Sequence, residues 1–421
     1  MVRRQGVLLV LDGLGDRGQR AFNGLTPLEA ARTPNFDRLL GGGQGALVDP
    51  LFPGVPVGTH TGTGALLGIP PAEVALLPRG PVEMAGTGHP PGDGDILMRC
   101  NFATLSRENG ELQVLDRRAG RIREGTDQLA RALEGVDLGD GIRGTLIPAT
   151  QHRAILQLRG PGLSPDIGDT DPGGHRLPLK KCLPTHAGAA PERTARAVDR
   201  FTRIAHQRLE QHPLNLERRR AGLPPANGVI CRSAGAQKRP GSLIHHLGLK
   251  AALVSGESTV IGLGRLLGYR VVTHPGFTAL PDTDLQAKAA AVETALETAD
   301  IVFLHIKGPD ICAHDLDPAG KRRLLEAIDG AIAPLMRPDR VIGVTGDHST
   351  DCNTGDHVGD PVPSLLWSAD GRRDGCQHFG EGGCAGGGLG RVTANGFLCA
   401  LLDAMGCMHK FRPQEAGLFR P

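Results

Sequence analysis

Ile301-Val302-Phe303-Leu304-His305-Ile306-Lys307-Gly308-Pro309-Asp310-Ile311-Cys312-Ala313-His314 and Val341-Ile342-Gly343-Val344-Thr345-Gly346-Asp347-His348-Ser349-Thr350 share one pattern. Each is a short apolar run that ends in charged residues, and His357 follows nine positions after His348. Such runs, separated by a helical stretch from Lys321 to Leu335, predict parallel strands of an α/β sheet. Ligands in open α/β sheets bind beyond the carboxyl ends of the strands, where Asp310, His314, Asp347, His348 and His357 fall. A single histidine after a strand is more often a surface or core-edge residue. Five carboxylates and imidazoles in this arrangement predict a metal centre for Mn, Zn, Co or Fe, with Mg admitted by the carboxylates.

Working outward, Gly6-Val7-Leu8-Leu9-Val10-Leu11 is another short buried run, closed by Asp12-Gly13. Asp12 is a further metal carboxylate or, equally, a turn former or helix cap. Thr26-Pro27-Leu28-Glu29-Ala30-Ala31 carries a cap and a proline at the first helical position, which predicts a helix, and Thr33-Pro34 opens a second. Gly58-Thr59-His60-Thr61-Gly62-Thr63-Gly64 is either a turn-rich loop or the start of a helix whose backbone N–H groups favour a phosphate. From Pro78 to Gly235 the character changes to alternating runs and single arginines, with one long helix over residues 189–211. This predicts an α+β domain inserted in the α/β core. The expected division is 1–78 and 239–421 for the core and 79–238 for the insertion.

The chain has 421 residues and a net charge of +2, from 47 basic and 45 acidic side chains. That balance carries no nucleic-acid footprint. No apolar run approaches the ~20 residues of a membrane span. Nine cysteines without C-x-x-C pairing read as reduced thiols. A cytoplasmic protein is expected, with no nucleic-acid or membrane partner.

Further motifs lie between these: Arg79-Gly80-Pro81 with Glu83, Arg99-Cys100-Asn101-Phe102-Ala103-Thr104, Asp116-Arg117-Arg118-Ala119-Gly120-Arg121, His152-Arg153, Asp169-Thr170-Asp171-Pro172, Asn215 with Arg218, Pro224-Pro225-Ala226-Asn227 and Arg232. With the stretches above, and in this order, they resemble the archaeal-type cofactor-independent phosphoglycerate mutases of the alkaline phosphatase superfamily. The resemblance implies an alkaline-phosphatase-like α/β core with a mostly parallel sheet and an inserted α+β cap. It implies two divalent metal ions (manganese, or else magnesium, cobalt or zinc) and no 2,3-bisphosphoglycerate. Asp310, His314 and His357 would hold one ion; Asp12, Thr59, Asp347 and His348 the other. Thr59 would be the nucleophile, with Lys307 and Arg232 as further catalytic residues. Arg79, Arg99, Asn101, Arg118, Arg121, His152, Arg153, Asp171 and Arg218 would bind the substrate, a small phosphorylated carboxylate.

The pattern departs from the family at the nucleophile. The family usually has serine followed by aspartate, with a histidine later in the loop, where this chain has Thr59, His60 and Thr63. The implied reaction is interconversion of 2- and 3-phosphoglycerate through phosphothreonine. The alternatives are a phosphatase, a mutase or hydrolase for another phospho- or phosphonocarboxylate, and a non-catalytic paralogue.

Overall fold

Strand β1 (Gln5–Leu11) lies inside the larger sheet, and every residue after Gln5 in it is buried. The computed structural model describes residues 3–89, 92, 94–108, 110–149, 151–236 and 239–419. The chain divides into two compact units, Met1–Leu77 with Arg239–Pro421, and Pro78–Lys238. After β1 and β2 (Gln44–Asp49), the second unit contributes β3 (Ile96–Glu108), β4 (Glu111–Asp116), β5 (Val136–Asp137), β6 (Arg143–Pro148), β7 (Arg153–Arg159), β8 (Leu177–Pro178) and β9 (Gly228–Ala236). The first unit resumes with β10 (Ala251–Val254), β11 (Arg270–Val272), β12 (Ile301–Ile306), β13 (Arg340–Thr345), β14 (Ser349–Asp351), β15 (Asp356–Val358), β16 (Val362–Ser368) and β17 (Gly390–Thr393).

The first unit's large sheet runs β11-β10-β12-β1-β13-β16-β2-β17. Among these strands only β16 opposes the rest, so the sheet is mostly parallel, as expected. β12 and β13 are buried along their whole length. A parallel strand covered on both faces reads as a near-continuous apolar run rather than an alternating one, which is why these segments stood out. One cluster joins Val7, Leu9, Val302, Leu304, Ile342 and Val344 to Val292, Ala295, Leu325 and Ile328 of two flanking helices. Each such side chain contributes about 1.5–3 kcal/mol by leaving water.

The helix expected from Lys321 to Leu335 spans Pro318–Ala331, with Asp317 capping the N–H of Gly320, and a 3-10 turn covers Ala333–Leu335. Pro334 lacks the N–H that a continuing α-helix would need. The expected helix at Thr26–Ala31 does not form. Thr26 and Glu29 cap one another (Glu29 N to Thr26 Oγ1 3.1 Å, Thr26 N to Glu29 Oε2 3.0 Å), but the chain makes only a single turn there. Pro34 disfavours helical backbone at Thr33, so the segment has no room to propagate. The helix opened by Thr33-Pro34 does form, over Pro34–Gly41.

The second unit is an antiparallel sheet, β5-β6-β7-β3-β4-β8, with β9 along the other edge of β3. Thirteen-residue β3 pairs β7 over Ile96–Asn101 and then β4 from Thr104 onward. The long helix spans Ala189–Glu210. Its Val198, Phe201, Ala205 and Leu209 pack with Met98, Cys100 and Phe102 of β3. Side chains alternate across a strand, so Arg99 and Asn101 point to the opposite face.

Candidate active site

Three adjacent strands deliver the charged groups of the first unit. Asp12 follows β1, Lys307 and Asp310 follow β12, and Asp347 and His348 follow β13. Gly13 turns the chain at φ +64°, with Asp310 and Thr350 so close that a Cβ would meet both at 2.8 Å. Only glycine satisfies both the dihedral and the space. Asp12, Asp310, Asp347 and His348 are fully buried.

Thr59 opens the helix Thr59–Leu66, after Gly58 in extended backbone. Its Oγ1 accepts a hydrogen bond from Lys307 Nζ at 3.0 Å and lies 3.4 Å from His348 Nε2. Lys307 Nζ also sits 3.0 Å from Asp12 Oδ1 and 2.6 Å from Asp310 Oδ2. Burial opposes the ammonium charge, but Asp12, Asp310 and Asp347 outweigh it and raise the lysine above its ordinary range. Lys307 is therefore a fixed cation, not a base. Burial likewise resists ionisation of Asp12, and Lys307, His305 and His348 hold its carboxyl below the usual range.

Tautomers follow from the partners of each ring. His314 Nδ1 donates to Gly355 O (2.6 Å) and His357 Nδ1 to Val57 O (2.7 Å). A carbonyl only accepts, so in the neutral form of each ring the lone pair lies on Nε2. These two atoms face one another at 3.3 Å, and lie 3.3 Å and 3.5 Å from the Asp310 carboxylate. Two lone pairs and a carboxylate aimed at one point form a donor set for a cation. Their spacing matches the tetrahedral edge of about 3.3–3.4 Å implied by metal–nitrogen bonds of ~2.0–2.1 Å. His348 is oriented the same way. Thr350 Oγ1 gives its hydrogen to Asp310 Oδ1 (2.7 Å) and accepts from His348 Nδ1 (3.1 Å), so Nε2 faces Asp12 Oδ1 at 3.2 Å. Burial lowers the basicity of His348, yet Asp347 and Asp12 push it up to about 9. Positive charge is strongly favoured at this point.

In the second unit, pairing places three of the expected substrate residues, and Arg232, expected as catalytic, on one face. Arg99 lies opposite Arg232 across β3 and β9, and Asn101 opposite Arg153 across β3 and β7. Directly opposed residues share a face. Arg99 Nε is 2.9 Å from Glu83 and Arg79 is 3.4 Å from the same carboxylate. Burial, together with Arg79, Arg232 and Arg153, brings Arg99 down to about 9 despite Glu83. Burial and the charges of Arg153, Arg118, Arg99 and Arg232 bring His152 to about 4, so it is neutral. Such crowding of cations is relieved by an anion. Asp171 is gripped by Arg117 through two hydrogen bonds (2.8 and 2.6 Å) and approached by Arg232 at 3.3 Å. Arg118 and Arg121 are exposed. Arg218 donates to the carbonyls of Pro224 and Ala119, bracing two loops.

Residues 42–215 match the family model of 2,3-bisphosphoglycerate-independent phosphoglycerate mutase. The protein of that name from Methanopyrus kandleri is 41% identical over 418 residues, covering 97% of this chain and 98% of its own. The chain belongs to the 2,3-bisphosphoglycerate-independent phosphoglycerate mutase family. A solved Pyrococcus horikoshii protein superposes on this mutase-family chain with a TM-score of 0.82 at 32% identity, covering 98% of this chain and all of that one. The cofactor-independent phosphoglycerate mutase of Thermoplasma acidophilum gives a TM-score of 0.70 at 32% identity, over 96% of this chain and all of that one.

Within this mutase fold, three residues that carried no assigned role in the sequence motifs touch the charged cluster. His305 lies inside β12 and reaches Asp12 Oδ2 at 3.0 Å, so Asp12, His305 and Asp347 make one convergent set and Asp310, His348 and His357 another. Thr63 donates to Asp347 Oδ2 at 2.8 Å, and Thr350 links His348 to Asp310. The one available signal was a polar residue interrupting an apolar strand, as His305 does.

Proposed function

We propose that this chain interconverts 2-phosphoglycerate and 3-phosphoglycerate through a phosphorylated Thr59. The family it belongs to depends on divalent metal and needs no 2,3-bisphosphoglycerate. The observation that carries the reading is Thr59 Oγ1, held by a permanently charged lysine beside buried carboxylates and imidazoles whose lone pairs converge. Asp310, His314 and His357 would hold one ion and Asp12, Asp347, His348 and Thr59 the other, with His305 against Asp12; manganese suits this donor set. When bound, such ions supply positive charge to the phosphoryl oxygens and favour ionised hydroxyl at neutral pH.

The chain's own residues do the rest. The Lys307 ammonium donates into a Thr59 lone pair, which favours the ionised oxygen. That oxygen bonds to phosphorus while the bond from phosphorus to the glycerate oxygen breaks, and the proton released by Thr59 goes to the departing oxygen. The Lys307 charge again faces the bridging oxygen as the phosphoryl group returns to the other hydroxyl. On the second unit, Arg99, Arg153 and Arg232, with Asn101, make a cationic face of the kind that binds a carboxylate. A cytoplasmic setting is supported by nine cysteines that are all free thiols.

The test is purified protein with Mn²⁺ and 3-phosphoglycerate, without bisphosphoglycerate, reading 2-phosphoglycerate and free phosphate together. Isomerisation without phosphate release is expected. Phosphate release alone would make the enzyme a phosphatase.

A further inference from the structure

Outside the cluster around Asp12, one other group of side chains among the described residues points its ligand atoms at a common spot. The helix Leu243–His246 ends in His246, and the C-terminal segment brings His409 and Glu415 to it. His246 Nε2 and His409 Nε2 lie 3.0 Å and 2.8 Å from the same oxygen, Glu415 Oε1. All three ligand atoms fall within 4.8 Å of one another. The other carboxylate oxygen is occupied, since Glu415 Oε2 accepts from the backbone N–H of Arg412 at 3.2 Å. The carboxylate is thereby oriented, with Oε1 turned to the imidazoles. Glu415 is buried while both histidines keep an open side to solvent.

Two imidazole nitrogens converging on a single, oriented carboxylate oxygen is the His₂-carboxylate donor set of three-ligand metal sites, which leave a position for water. The present separations are a few tenths of an ångström below the ~3.3 Å edge of such a site, so a small outward movement of two exposed rings suffices.

We propose that His246, His409 and Glu415 bind a zinc-class divalent cation that fastens the C-terminal segment to the helix Leu243–His246. The nitrogen ligands favour Zn²⁺ over Mg²⁺ or Ca²⁺. None of the three residues is assigned to phosphoryl transfer, so the site adds a structural role.

The experiment compares the wild-type chain with His409→Gln and His246→Gln. Glutamine can still donate a hydrogen bond to Glu415 but is a poor zinc ligand. Each protein is stripped with chelator, reloaded with Zn²⁺, desalted and assayed for zinc per chain and for protease cleavage within residues 406–419. The wild type should retain one zinc more than either variant, and Zn²⁺ should slow its tail cleavage about tenfold, with no such slowing in the variants. Equal zinc content in all three, or cleavage of the wild type indifferent to zinc, overturns the proposal. Turnover of 3-phosphoglycerate with Mn²⁺ in each variant reports an intact fold.

Discussion

Thr59 is held at one oxygen by Lys307 and stands where its family usually has serine. In the proposed reaction the hydroxyl is the reacting group, and the added methyl only restricts χ1. Thr59→Ser should therefore keep turnover within about tenfold, whereas Thr59→Ala should lose the phosphoenzyme by mass spectrometry and at least ~10³-fold in kcat. Labelling that persists in the alanine variant would place the nucleophile elsewhere. Thr63 acts one contact further out, since its hydrogen bond fixes Asp347. Thr63→Val keeps the volume and removes that donor, so the Mn²⁺ concentration for half-activity should rise ~10–100-fold while kcat at saturating metal falls much less. An unchanged metal requirement would separate Thr63 from the metal-binding role proposed for Asp347.

The helix Thr59–Leu66 approaches the segment after β13 so closely that a Cβ on Gly62 would overlap the backbone carbonyl of Asp347. Gly62→Ala should push the helix away, displacing Thr59 from Lys307 and lowering kcat at least tenfold, a loss of about 1.4 kcal/mol in transition-state stabilisation; wild-type turnover would mean the helix tolerates the shift. Elements of this kind were legible to different degrees. β1, β12 and β13 announced themselves as apolar runs because both their faces are buried. Their aspartates were legible because strand ends in such sheets are where charge collects. His305 was not, because a histidine within an apolar run looks the same whether it points to the core or to Asp12. The arginines of the second unit could be named, but their meeting on one face depends on the pairing of β3 with β7 and β9. That pairing joins residues over 50 positions apart and leaves no local trace. The antiparallel direction of β16 is equally silent, since a two-residue period has no polarity.

At the scale of the molecule, stability should carry a pH signature from a group outside the chemistry. Glu381 accepts from Asp16 N (3.0 Å) and Thr26 Oγ1 (2.6 Å), and burial, reinforced by Glu29, pushes its carboxyl up to about 7. The unfolded value lies near 4.5, so the folded chain binds the extra proton between these limits. The resulting stabilisation is complete below about pH 4.5 and is lost as pH rises through about 7, on the order of 3 kcal/mol in total. Glu381→Gln should remove that slope from denaturant-unfolding free energies measured between pH 5 and 8; an identical slope in the variant would assign it to another group.

The position of β1 has a consequence for synthesis. Its neighbours on both sides, β12 and β13, begin at residues 301 and 340. At about 5–20 residues per second, the first strand leaves the ribosome some 15–60 s before its first neighbour exists. Residues 78–238 form their contacts within one contiguous stretch and can finish folding in that interval. The newborn chain thus carries an orphaned apolar strand ahead of a completed domain, and its earliest-made segment is among the last to find its place.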